Sequence, residues 1–103
     1  DWTVAPLDPL TGVHAAVTRK TRDNKNPDGW FPSEKISVAE ALRCYTLNNA
    51  FAAFWDKTTG SLSVGKNADF VVHSKNLLTV DPDHILSSKV IRTVVAGRDH
   101  LFE

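Results

Sequence analysis

The sequence predicts an α+β chain with its helices first and its strands afterwards, and three observations carry that expectation. Ser37-Val-Ala-Glu40 is a capping box, with a hydroxyl and a carboxylate placed to satisfy the free N–H groups that open a helix. An apolar stripe follows at Val38, Ala41, Leu42, Tyr45, Ala52 and Trp55, at the spacing of one helix face. Beyond Gly60 the pattern changes to short β-branched runs at 68–72 and 90–95, bounded by turn formers. The shift divides the chain into residues 1–59 and 60–103.

The first ten residues are proline-rich. Pro6 and Pro9 push the residues before them out of helical angles, so an extended loop is expected. Asp8-Pro9 then supplies a helix start, with Asp8 as N-cap and Pro9 in the first turn, where its missing N–H costs nothing. Leu10, Val13, His14 and Val17 recur at three- and four-residue spacings, predicting a helix near 9–19. Residues 20–33 carry turn formers and mixed charge with no apolar period. They read as a surface loop whose end, Trp30-Phe31, is expected to pin it to a core.

The capping-box helix is expected to run from 37 to 55, with Cys44 as a buried, inert thiol midway. After the turn residues Lys57-Thr-Thr-Gly60, the run at 68–72 is expected to be a largely buried strand. Residues 76–82 read as a short extended segment and 83–86 as one helical turn. The run at 90–95, the pair Ala96-Gly97 and the segment 98–102 predict a closing hairpin.

Composition excludes several function classes. The 103 residues carry 12 basic and 12 acidic side chains, for zero formal charge, so neither nucleic acid nor an anionic membrane surface is expected as a partner. No apolar run approaches the roughly 20 residues of a membrane span. One cysteine permits no intrachain disulfide, and a cytoplasmic location is the expectation that follows. The chain opens on Asp1-Trp2 and contains no methionine, which suggests a fragment of a longer protein.

The residues show no complete active site. His14, His73, His84 and His100 are scattered and form no metal-binding pair. Asp69, an acid inside an apolar run, is expected to accept backbone N–H bonds around the turn that Gly65 allows. Gly60, Gly65 and Gly97 are read as structural turn positions.

The order of residues carries more. Gly60-Ser-Leu-Ser-Val-Gly-Lys-Asn-Ala-Asp-Phe-Val-Val72 resembles the G-s-l-x-x-G-K-x-A-D-h-V-V run near the C-terminus of the amidohydrolase superfamily. Asp1 to Leu10 is similar to the segment ending the eighth barrel strand in its YtcJ-like, amidohydrolase-3 branch. Val13-His-Ala-Ala-Val-Thr-Arg19, residues 36–53 and Thr93-Val-Val-Ala-Gly-Arg98 keep that branch's order. The likeness runs nearly end to end. Thr3 replaces the usual proline, and Asn49 stands where a small residue is more common.

The resemblance implies the end of a (β/α)8 TIM-type barrel, two helices, followed by part of a small β-sandwich. It implies a metal-dependent hydrolase acting on non-peptide C–N bonds of a small-molecule substrate. Asp1 would be both a ligand to a divalent metal, zinc by expectation, and the acid that takes a proton from the metal-bound water. The remaining ligands of that family lie upstream, so the fragment alone is expected to hold no metal and to show no activity. Its implied partner is the missing N-terminal portion of the same protein, with self-association also open. The alternative is a truncated, non-catalytic association module.

Overall fold

The computed structural model describes residues 3–23 and 25–100. They form an α+β chain with three α-helices and a three-stranded antiparallel sheet. Two compact units are present. One takes in the residues up to Leu42 together with Leu77–Ser87, and the other takes in Arg43–Asn76 and the residues from Ser88 onward.

In the first unit, α1 spans Pro9–Thr18. The Asp8 carboxylate accepts from Leu10 N–H at 2.9 Å, satisfying one of the donors that a helix start leaves free. The helix stops where Arg19 turns left-handed at φ 58. Arg19 then closes the following loop, because its carbonyl accepts the Trp30 N–H at 2.8 Å and its Nε donates to the Trp30 carbonyl at 2.9 Å. These bonds pin the loop, but the aromatic side chains do not anchor it in a core. Trp30 and Phe31 are exposed and pack edge-to-face on each other, with the Arg19 guanidinium over the indole.

A short 3-10 turn, Pro32–Glu34, leads to α2, Val38–Arg43. The Ser37 hydroxyl oxygen accepts the Glu40 N–H at 3.1 Å, which is the serine half of the predicted capping box. Leu10 and Val13 of α1, Ala41 of α2, Leu77 and Ile85 form the core, flanked by Ala16, Val17, Ile36, Val38, Leu42 and Val80. Each large core side chain contributes about 1.5–3 kcal/mol relative to exposure. Residues 77–79 are a turn where an extended segment was expected, which lets Leu77 reach this core. The expected helical turn follows as a 3-10 helix, Pro82–Ser87.

The second unit corrects the long helix. Its winding widens to a π-helix over Cys44–Asn48, and α3 covers only Asn49–Ala52. Such widening changes which residues share a face, so the stripe predicted to Trp55 is not maintained. The end is a Schellman cap. Trp55 N–H reaches the Ala50 carbonyl at 2.8 Å and Phe54 N–H the Phe51 carbonyl at 3.0 Å, with Phe54 left-handed at φ 61 where glycine is usual. Cys44 is exposed rather than buried, since no layer among the described residues covers it.

Strand β1, Phe70–His73, pairs antiparallel with β2, Val90–Val95, which pairs with β3, Arg98–His100. A register shift falls between Val72 and His73. The hairpin turns at Ala96-Gly97 as predicted, both with positive φ, the geometry whose twist matches the flanking strands. Segment 98–102 was expected to pair back, and residues 101 and 102 lie outside the described residues. β1 is not largely buried, since Val71 and Val72 are 46% and 39% exposed. A strand with one neighbour keeps a free edge.

Candidate functional site

Asp1, the acid singled out by sequence, lies outside the described residues. The next acid, Asp8, is committed to the start of α1 through its side chain, and its carbonyl accepts the Thr11 hydroxyl at 2.7 Å.

The structure brings Gly60, Asp69 and Gly97 to one joint. Asp69 immediately precedes β1, and its Oδ1 accepts the Ala96 N–H at 2.7 Å while its Oδ2 accepts the Thr59 hydroxyl at 2.7 Å. The Ala68 carbonyl accepts the Gly97 N–H at 3.1 Å. The hairpin tip is thus held by a carboxylate and a carbonyl from the residues leading into β1. Lys66 Nζ and the Asn67 N–H close the loop onto the Thr59 and Thr58 carbonyls, at 3.2 and 2.8 Å. The Ala96 N–H, then the Thr59 hydroxyl, hold the Asp69 carboxyl below the usual carboxylate range. Both oxygens are engaged locally, so this carboxylate acts as a structural acceptor.

Gly60 is fixed by space as well as by φ, which is 86°. A Cβ there would lie 2.6 Å from the Ala50 Cβ and 3.1 Å from the Leu47 Cα, so only glycine lets the loop pass this close to the helix. Gly65 has φ 92 and open space around it. Its requirement is conformational alone.

The remaining candidates do not converge. His14 is buried on α1, His84 and His100 are exposed, and His73 at the end of β1 is half-buried, its Nδ1 without a partner. Among the described residues no group of three or more His, Cys, Asp or Glu could hold a metal ion, and no helix is long and apolar enough to cross a membrane. Besides the local, exposed pair Lys25–Asp23, two ion pairs were not foreseen from the sequence. Lys20 Nζ lies 2.8 and 2.7 Å from the two carboxylate oxygens of Asp83, and the Arg92 guanidinium engages Asp99 with one bond of 2.7 Å. Nothing local in sequence announces the first, whose partners are 63 residues apart. The second follows from strand register, since Asp99 pairs with Val94, two residues beyond Arg92.

The model of the amidohydrolase family known as Amidohydro_3 matches residues 1–99. The chain belongs to this family. Its relatives include the YtcJ protein of Bacillus subtilis (strain 168), whose name assigns it provisionally to the amidohydrolases. It is 33% identical over 98 residues, 95% of this chain and 18% of that protein. Protein LONG AFTER FAR-RED 3 of Arabidopsis thaliana is 42% identical over 95% of the chain and 16% of its own length. The N-substituted formamide deformylase of Arthrobacter pascens is 33% identical over 94% of the chain and 17% of its own length. The chain therefore spans less than a fifth of the length of these curated relatives. No solved structure gives a significant match.

Proposed function

We propose that this chain is the C-terminal part of an amidohydrolase that hydrolyses non-peptide C–N bonds in small molecules. Residues 1–59 would be the end of its (β/α)8 barrel and residues 60–103 the C-terminal strands of its β-sandwich. The observation that carries the reading is the family match over residues 1–99, together with relatives about five to six times longer than this chain. The apolar surface agrees with it. Phe51, Phe54 and Trp55 are 70%, 91% and 66% exposed, a density of bare aromatics that signals an interaction face. We assign that face to contact with the upstream part of the same protein.

In this reading Asp1 is the catalytic acid and one metal ligand, at the barrel end where such folds carry their chemistry. A divalent metal, zinc by expectation, would need at least two further protein ligands. The described residues do not fit that requirement, so those ligands would come from upstream sequence. Asp8, Asp69 and Asp83 are each occupied by the fold and are not offered as ligands.

The test is a pair of substitutions in a full-length, active parent. Asp1→Asn is nearly isosteric and removes a proton acceptor, so kcat is expected to fall by about 10²–10⁴-fold. Asp8→Asn touches only the cap of α1 and is expected to keep most activity. Equal harmlessness of the two would remove Asp1 from the catalytic role. Absence of any C–N hydrolase activity in the parent would favour the alternative of a non-catalytic association module.

A further inference from the structure

The buried face of α1 carries a titratable group that the proposed chemistry does not use. His14 is 3% exposed, on the face that also buries Leu10, Val13 and Thr18. That helix packs against the Pro82–Ser87 turn. Two charged groups act on His14, namely Asp83 from the turn and Lys20 from beyond the end of α1. His84, which is exposed, is the other titratable group acting on Asp83. The core neighbours contributed by residues 36–42 are apolar: Ile36, Val38, Ala41 and Leu42.

We propose that His14 is an acid-sensitive latch, which holds residues 77–87 docked on α1 while neutral and releases them when protonated. The geometry supplies the reason. Lys20 Nζ lies within hydrogen-bond distance of both Asp83 carboxylate oxygens, and the Lys20 side chain is only 17% exposed. The acid nearest in effect to His14 therefore already has a cationic partner. An imidazolium formed at His14, 3% exposed on the packed face of α1, would lose its water; the attraction of Asp83, offset in part by the Lys20 ammonium, does not make up that loss.

Burial, the largest influence, holds the His14 imidazole below its ordinary range; Asp83 opposes this and Lys20 adds to it. The released form thus binds protons more readily than the docked one. Docking is at full strength above the ordinary histidine value of about 6.5 and weakens as pH falls below it. Lys20 holds the Asp83 carboxyl below the usual carboxylate range, so the ion pair persists through the same window. His14 is the group that changes.

Amide hydrogen exchange of the 103-residue chain at pH 7.5 and 5.5, corrected for intrinsic rates, tests this. Amides in 9–18 and 82–87 are expected to lose protection at pH 5.5, by up to about tenfold per pH unit between the released and docked values. His14→Gln cannot titrate and should abolish that difference, while His84→Gln should leave it intact. His14→Phe, which keeps an apolar ring, serves if the glutamine variant is unprotected at pH 7.5. Equal protection of the unmodified chain at both pH values overturns the latch. So does a pH-dependent loss that survives in both His14 variants, or an absence of protection at pH 7.5.

Discussion

The two units bury apolar surface to different degrees. The first closes a core around Ile85 and Val13, which are 0% and 1% exposed. In the second, the buried apolar residues among those described are Ala50 and Val94, while Phe51, Phe54, Trp55, Leu62, Val64 and Ile91 stand exposed. Composition does not separate the two, since both are rich in large apolar side chains. They differ in whether the sequence supplies a layer to pack against. Residues 77–87 return to α1 and α2 and complete a cluster. The sheet has Val71, Val95 and Ile91 bare and β1 paired on one edge only.

Substitutions can break this comparison, and the largest effect is expected in the first unit. Ile85→Ala removes a fully buried side chain and should cost about 2–5 kcal/mol. Ile91→Ala, on the bare sheet, should fall within about 0.5 kcal/mol. Urea unfolding of the two variants measures both. If they cost the same, the sheet is already covered in the isolated chain and the contrast fails.

Two glycines sharpen it next. Gly60→Ala meets left-handed strain of about 1–2 kcal/mol plus a steric conflict with Ala50. Gly65→Ala meets only the strain, because nothing lies within 4 Å of its Cβ position. Both should destabilise, Gly60→Ala more. A stabilised Gly65→Ala would show that its turn relaxes. The reverse substitution applies at Phe54, where a bulky side chain occupies the cap position glycine prefers. Phe54→Gly should stabilise the isolated chain by about 1 kcal/mol while weakening whatever contact its exposed ring makes.

The smallest effect belongs to Asp69. Its carboxyl is held below the usual range by Ala96 N–H and the Thr59 hydroxyl, so its contribution is present above about pH 3.8 and is lost as pH falls through the lower folded value. Asp69→Asn should leave the fold intact and speed exchange of the Ala96 amide. Unchanged exchange there would mean that the carboxylate does not hold the hairpin tip.

Local chemistry was legible wherever it acts over a few residues. Asp8-Pro9, Ser37 with Glu40, and Ala96-Gly97 each stand where their own chemistry places them, since a cap or a turn needs no distant partner. The winding of residues 44–48 was not legible. Tyr45, Ala52 and Trp55 keep α-helical spacing across them, interrupted only by the amides Asn48-Asn49, and nothing in that pattern signals a wider winding. Nor was the exposure of Cys44 or Val71, because burial depends on layers that a hydrophobic run does not specify. The joint at Asp69 was half-legible: an acid in an apolar run demands donors, but nothing in the run names Thr59 or Ala96. Asp1 rests on family likeness, since a single carboxylate in a loop has no pattern of its own.

The central claim is that the bare surface of the second unit is covered by the rest of a longer amidohydrolase. Hydroxyl-radical footprinting of Phe51, Phe54 and Trp55 in the 103-residue chain and in the intact parent tests it directly. The account predicts heavy labelling of all three in the chain alone and strong protection in the parent. Equal labelling in both would contradict it.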